Sequence, residues 1–143
     1  MLPKESARMV LESLTGAYGA LEGMTIHLAK EEPLVELDTL QLADITEADF
    51  DGYEEIADPE WEDPYIHVDD NAGMLSHLLE FEAGDEIDEP QTIYGMYIIL
   101  HFETGGQKLF QWFSLPESIT LANPGEKVQR KIDLLAADLP DEA

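Results

Sequence analysis

Apolar and polar residues alternate along most of this chain with a period of two, which is typical of β-strands that pack one face on a core. The strongest case is Thr92–Glu103, where both faces are apolar. A strand buried on both faces lies inside a sheet, so we expect this one to be central. Gly105-Gly106 then predicts a hairpin turn, and the aromatic-rich stretch Lys108–Leu115 predicts an antiparallel return strand.

Shorter alternating stretches predict further strands on both sides of this pair. Met24–Lys30 has one apolar face, which we expect to pack on the core. Two more hairpins are expected where turn-forming residues separate alternating stretches. The first hairpin joins Tyr65–Val68 to Met74–Glu82 across Asp69–Gly73. The second joins Ser118–Ala122 to Lys127–Ala136 across Asn123-Pro124-Gly125. A less regular strand is expected over Leu34–Leu42.

Two segments have helical rather than β signals. Apolar side chains recur at spacings of three and four near the N-terminus, which predicts an amphipathic helix from Pro3 to about Thr15 that covers the β-domain or packs on a neighbouring subunit. Thr46–Asp49 predicts a single helical turn, with Thr46 as N-cap and Asp49 in place of the usual Glu or Gln of a capping box. Phe50 and Tyr53 would then point into the core.

These elements predict a mainly β fold, an antiparallel β-sandwich or barrel with one N-terminal amphipathic helix. The length of 143 residues favours a single folding domain. We expect an N-terminal helix or arm over residues 1–20, a β-domain over 21–137 and an acidic tail over 138–143.

The chain carries 32 acidic residues against 7 lysines and arginines, a formal net charge of −25. Such a surface repels nucleic-acid phosphates and anionic membranes, so neither is expected as a partner. Solubility (including in high salt), docking onto a basic partner, mimicry of DNA and calcium-dependent assembly all stay open as explanations. No signal peptide is recognised and no apolar run approaches the ~18 residues of a membrane helix, so a soluble protein is expected.

Residue types that carry chemistry are scattered. The absence of cysteine excludes a disulfide, a thiolate metal site and a thiol nucleophile. No nucleophile elbow, P-loop or dinucleotide-binding glycine motif is present, so we expect no enzyme activity and no cofactor. The turn residues Asp69, Asp70 and Asn71 are weak calcium candidates, because calcium takes oxygen ligands. The histidines are expected on strand faces beside acids; they are His27, His67, His77 and His101.

Apolar residues that could serve either the core or a subunit contact form a separate group of candidates. Trp61 stands out because Glu60 and Glu62 flank it. The basic residues Lys127, Arg130 and Lys131 are expected to neutralise acids of the same subunit, or else acids of a neighbour. The interface candidates are Val10, Leu11, Leu14, Phe50, Tyr53, Trp61 and Trp112.

One block of sequence, Leu42–Tyr53, reads LADITEADFDGY and resembles a segment of small virion structural proteins of tailed double-stranded DNA viruses. Later stretches with counterparts in that loosely defined group are Ile93–Tyr97, Lys108–Phe113 and Thr120–Glu126. The resemblance covers roughly Thr39 to Val128 and leaves out the N-terminal helix.

The resemblance implies a non-enzymatic virion protein, and we expect a capsid decoration (cement) or head-associated accessory subunit located in the virion. Its expected partners are the major capsid protein or other virion proteins, together with copies of itself in a closed ring, of which a trimer is favoured. The alternatives are a tail-fibre or baseplate-adaptor component, an acidic DNA-mimic inhibitor, and a carbohydrate-binding module that stacks Trp61 and Trp112 on sugar rings.

Overall fold

The computed structural model describes residues 21–63, 65–66 and 72–135, and this part of the chain is mainly β with antiparallel strand pairing throughout. Two single turns of 3-10 helix lie at Leu37–Thr39 and Leu42–Asp44. The strands are β1 Leu21–Ala29, β2 Ile56–Ala57, β3 Tyr65–Ile66, β4 Ala72–Leu75, β5 Leu79–Glu82, β6 Gln91–Phe102, β7 Gly106–Leu121, β8 Lys127–Arg130 and β9 Asp133–Leu135.

The main sheet has the strand order β2-β1-β6-β7 and is apolar on both faces. On one face Ile26, Met96 and Ile98 join a core that also contains Phe81 of β5 and Val128 of β8. On the other face Ala29, Tyr97, Ile99, Leu109 and Trp112 pack against Leu40 from the segment that holds the two 3-10 turns. The prediction of a central strand buried on both faces is therefore confirmed for β6, which lies between β1 and β7.

The β6–β7 hairpin is also confirmed, although its return strand is longer than expected. Pairing slips between Ile93 and Gly95, whose partners on β7 are Ile119 and Ser114, so residues 115–118 form a bulge in β7. Pro116 lies in this bulge of an edge strand, where its missing N–H removes no ladder hydrogen bond.

The predicted hairpin of Tyr65–Val68 with Met74–Glu82 is confirmed in part, because β3 pairs with β4. The rest of Met74–Glu82 forms a separate strand, β5, which pairs with β8, while β4 also pairs with β9. A second predicted pairing is wrong. The expected hairpin of Ser118–Ala122 with Lys127–Ala136 does not form, because Ser118–Leu121 belongs to β7 beside β6 and β8 pairs with β5 instead. Alternation identifies a strand but carries no information on its partner, and here the partners are distant in sequence.

Ser76 joins the two short sheets at the break between β4 and β5. Its N–H donates to the carbonyl oxygen of Ile132 at 2.8 Å, and the N–H of Ile132 donates to the Ser76 hydroxyl, also at 2.8 Å. The hydroxyl thus takes the place of a strand carbonyl. Because Ser76 is fully buried, the Ile132 N–H would otherwise be an unpaired donor in the interior.

The helical turn predicted at Thr46–Asp49 is wrong as well. The N–H of Lys30 donates to the Thr46 carbonyl at 3.0 Å, and the N–H of Ala48 donates to the Leu28 carbonyl at 2.8 Å. Residues 46–48 therefore extend the edge of β1 where β2 has ended, since a strand edge satisfies these backbone groups better than an isolated turn would. The Leu34–Leu42 strand is replaced by the 3-10 turns, and a capping contact from Gln41 N–H to Asp44 Oδ2, 2.9 Å, stands there.

Two groups of predictions fall outside the described residues: the N-terminal helix with Val10, Leu11 and Leu14, and the calcium candidates Asp69, Asp70 and Asn71. The same holds for His67 and for the acidic tail. The expected burial of Phe50 is confirmed, and Tyr53 is half-buried against the same core.

Candidate functional site

A chain of polar side chains crosses the buried face of β1 and reaches the edge of the main sheet. His27, only 5% exposed, lies at its centre with both ring nitrogens engaged. Its Nδ1 contacts Glu47 Oε2 directly, and its Nε2 lies 2.7 Å from Thr25 Oγ1. The same Thr25 hydroxyl lies 2.8 Å from Nε2 of His101 on β6. Alternation on β1 places Thr25 and His27 on one face, and the β1–β6 register brings His101 beside them.

The direction of these hydrogen bonds depends on the tautomers of the two imidazoles. In the His27 tautomer that donates Nδ1–H to Glu47, the ring Nε2 accepts the Thr25 O–H, and Thr25 can accept Nε2–H of His101. This is the order carboxylate, imidazole and hydroxyl that activates nucleophiles in hydrolases. Here, however, Thr25 is 8% exposed and its oxygen is already shared by two imidazoles.

Tyr53 closes the other end of this network at the gap between β2 and residues 46–48. Its hydroxyl donates to Glu47 Oε2 at 2.6 Å and accepts the Leu28 N–H at 3.1 Å, so it satisfies a strand-edge donor. Burial, followed by the hydrogen bond to Glu47, raises the pKa of Tyr53 well above its usual value. Burial also raises the pKa of Tyr97, and the charges of Glu47 and Glu55 add to this effect.

Aromatic rings continue from the network across the sheet. The His27 ring stacks on Tyr97 with ring centroids 5.1 Å apart, and Tyr97 stacks on Trp112 at 6.3 Å. The three residues are register partners on β1, β6 and β7. Trp112 is 1% exposed and its indole N–H donates to Ser114 Oγ at 2.8 Å. The polar network and the ring stack thus hold three strands in one register.

An apolar tip lies beside the far end of this stack. Leu34 is 100% exposed and Val35 is 39% exposed, in a loop that begins after β1. Next to them is a groove of about 310 Å³ whose apolar lining includes Tyr94, Trp112 and Leu115. We call Leu34, Val35 and this groove the tip-and-groove surface. An unshielded leucine beside an aromatic groove is typical of a contact surface.

Carboxylates border this surface. Glu32 and Glu36 line the groove on the side of the tip. The stretch 31–38 contains four acidic residues and no lysine or arginine. The preceding Lys30 forms an ion pair with Asp49, Nζ to Oδ1 3.0 Å. The surface therefore combines an apolar centre with an anionic rim.

Basic residues elsewhere pair with acids of the same chain, as predicted for two of the three near the end of the β-domain. Lys127 lies 3.2 Å from Glu80, and Lys131 lies 2.9 Å from Glu62. The hydrogen bond from Gln129, followed by the one from Lys127, lowers the pKa of Glu80. The Arg130 guanidinium donates to a backbone carbonyl, that of Gln129, at 2.8 Å.

The interface candidates have different fates. Phe50 is a core residue, Tyr53 is half-buried in the polar network, and Trp112 is buried beneath the groove. Trp61 is half-buried in a backbone bridge to Ser76, away from the other three in the strand pairing. Of the four candidates within the described residues, Trp112 is the one that lines the groove.

Sequence reasoning missed Leu34 and the His27–Thr25–His101 chain. The exposure of Leu34 had a local signal in the sequence. Leu34-Val35 lies between Glu31-Glu32-Pro33 and Glu36, outside any regular alternation that would place Leu34 on the buried face of a strand. The histidines had no such signal, since Thr25 and His101 are 76 positions apart. The expectation of strand-face histidines beside acids is confirmed for His27 on β1. His77 also lies beside an acid, with its Nδ1 3.2 Å from Glu60, but it lies between β4 and β5 rather than on a strand.

No protein-family model matches this chain, and neither a curated protein nor a solved structure matches it. Within residues 21–63, 65–66 and 72–135, no three histidine or acidic side chains are grouped so that they could hold a metal ion. The same residues contain no helix with the length and apolar character needed to cross a bilayer.

Proposed function

We propose that this chain is a non-enzymatic structural subunit of a tailed-virus particle, a capsid decoration or head-associated accessory protein. The observation that carries the proposal is the tip-and-groove surface, because a fully exposed leucine beside an aromatic groove suits a subunit that docks on another protein. The virion assignment itself rests on the resemblance of Leu42–Tyr53 to small virion proteins.

The use of the resembling block supports a structural role. Glu47 and Ala48 extend the edge of β1, Phe50 fills the core, and Tyr53 satisfies the Leu28 N–H. The residues of this block therefore complete the sheet and the core, which supports a structural rather than a catalytic role for the block. The Thr25 hydroxyl supports the same proposal, because two imidazoles share it and its burial leaves little access for a substrate.

We also propose that the domain is a two-layer sandwich. Within the described residues the strand order of the main sheet ends at β2 and at β7, and β5–β8 shares a core with one of its faces. This arrangement supports a sandwich over a closed barrel. The proposed oligomer is a closed ring, with a trimer favoured, and sedimentation equilibrium measures its mass.

The test is quantitative mass spectrometry of purified particles, of tail-stripped DNA-filled heads and of infected-cell lysate. Decoration predicts that the protein stays with heads at a copy number near that of the major capsid protein. A few copies that leave with the tails would indicate a fibre or baseplate adaptor. Presence in the lysate and absence from particles would overturn the virion proposal and favour an acidic DNA-mimic inhibitor.

A further inference from the structure

We propose that the tip-and-groove surface binds a basic segment of a partner protein that inserts an apolar anchor side chain into the groove. The proposal names the partner chemistry for the docking subunit described above and in that sense rests on the proposed function. It draws on three observations: the exposure of the tip, the lining of the groove and the charge of the rim.

The tip supplies apolar area that the isolated chain leaves in water. Leu34 is 100% exposed, whereas the next most exposed large apolar residues in the described part of the chain, Leu21 and Leu78, are 56% exposed. Val35 and Pro33 flank it, and both line the groove. Covering such a side chain on binding stabilises the complex without any cost to the fold, since the fold makes no use of it.

The groove is small and has a supported floor. Ligand pockets have volumes of about 300–1,000 Å³. The groove, at about 310 Å³, is at the small end of this range, so it suits one anchor side chain. Trp112 is 1% exposed, so the accessible apolar lining comes from the half-buried Tyr94 and Leu115. The Trp112 ring is fixed by its stack on Tyr97 and by its hydrogen bond to Ser114, so the groove keeps its shape and binding costs little ordering entropy.

The rim selects the charge of the occupant. Glu32 and Glu36 line the groove, and the net charge of the chain is −25. A second copy would bring the same carboxylates against this rim, and like charges in contact oppose binding. A segment with lysine or arginine on both sides of an apolar anchor complements the rim and the floor together.

The probe is a short synthetic peptide with two lysines on each side of a Phe-Leu pair. Its controls are the same peptide with Gly-Ser in place of Phe-Leu, and the same peptide with glutamates in place of the lysines. Nuclear magnetic resonance of the isotope-labelled full chain follows the indole N–H of Trp112, with the Trp61 indole as an internal reference. We expect the probe to shift Trp112 and not Trp61, and both controls to bind at least about tenfold more weakly.

Variants locate the contact. Leu34→Ser is expected to weaken probe binding about tenfold or more, because it removes most of the apolar side chain that the complex buries. Leu78→Ser is the matched control on another part of the fold and is expected to leave binding unchanged. Glu36→Gln is expected to weaken binding severalfold and to reduce its salt dependence, whereas Glu117→Gln on the β7 bulge is the control for charge alone.

Three results would overturn the proposal: no shift of Trp112 with the probe, equal binding by the glutamate peptide, or a self-association that Leu34→Ser abolishes, which would make a second copy the occupant. Particle binding separates the proposal from the function. If Leu34→Ser weakens the probe but the wild-type chain is absent from particles, the virion assignment fails and the docking chemistry stands. If wild-type and Leu34→Ser chains load equally on particles, the docking chemistry fails and the virion assignment stands.

Discussion

Replacement of Gly95 by alanine tests how the sheet supports the groove. Gly95 is a residue of β6, and the buried ring of Trp112 lies directly over it. A Cβ at this position would be 2.3 Å from Cζ2 and 2.6 Å from Cη2 of that ring, and 2.9 Å from the Phe113 carbonyl oxygen. Contacts below 3.0 Å essentially never occur, so the ring or the strand must move.

The expected cost follows from what holds the ring. Overpacking of this kind costs about 1–3 kcal/mol, and moving the indole breaks its hydrogen bond to Ser114, which contributes about 1 kcal/mol. Alanine also lowers the conformational entropy of the unfolded chain, which offsets about 0.4–1 kcal/mol of this loss in the free energy of unfolding. If the ring is expelled, the loss approaches the about 3–5 kcal/mol of a Trp→Ala change. We therefore expect Gly95→Ala to lower the free energy of unfolding by about 2–4 kcal/mol.

Urea unfolding followed by circular dichroism measures this loss, and a fall in Tm of roughly 5–15 °C should accompany it. The matched control is Gly23→Ala on β1, where the new Cβ would meet Asp58 Oδ1 at 3.1 Å. That carboxylate belongs to a movable side chain, so we expect a loss below about 1 kcal/mol.

A double-mutant cycle then identifies the ring as the cause. Trp112→Phe removes the two ring atoms that the new Cβ approaches, so adding Gly95→Ala in that background should cost less than it does in the wild-type chain. An unchanged stability of Gly95→Ala, or an equal cost in both backgrounds, would refute the close approach of Trp112 to Gly95 as the reason for this glycine.

Three further perturbations test the polar contacts. Thr25→Val keeps the β-branched shape but leaves two imidazole nitrogens without their shared hydroxyl, so urea unfolding should show a loss of about 1–3 kcal/mol. Ser76→Ala removes the acceptor of the Ile132 N–H in the interior, and the same assay should show a loss of about 1–3 kcal/mol. Burial raises the pKa of Tyr53 and Tyr97 in the folded chain, so their contribution to stability is present below about pH 10, where unfolded tyrosine begins to ionise, and is lost at higher pH. The urea concentration at the unfolding midpoint should therefore be lower at about pH 11 than at about pH 8.

Each of these has a control in the chain. Thr92→Val breaks an exposed hydroxyl pair with Thr120, and Ser118→Ala changes an exposed serine; both should cost less than about 0.5 kcal/mol. If either control costs as much as its buried counterpart, burial is not the reason for the loss. Tyr53→Phe removes one ionising group and should make the alkaline fall shallower; an unchanged fall would assign it to other groups.

The amino-acid sequence determined the local properties of this protein. Alternation at Thr92–Glu103 placed β6 and its two apolar faces, and the turn at Gly105-Gly106 placed its partner, because adjacent strands joined by a short turn pair with each other. The acidic composition determined the negative charge of the surface, because the net charge does not depend on how the chain folds. The burial of Phe50 also followed from the sequence, although the helical turn expected beside it did not form.

Only the tertiary structure decided which distant segments meet. The pairing of β5 with β8, the use of residues 46–48 as a strand edge, and the shared hydroxyl between His27 and His101 join positions far apart in the chain. The exposure of Leu34 beside Trp112 is of the same kind. Periodicity reports the face a residue occupies on its own strand, whereas register, partner and exposure depend on the free energy of the whole packed domain.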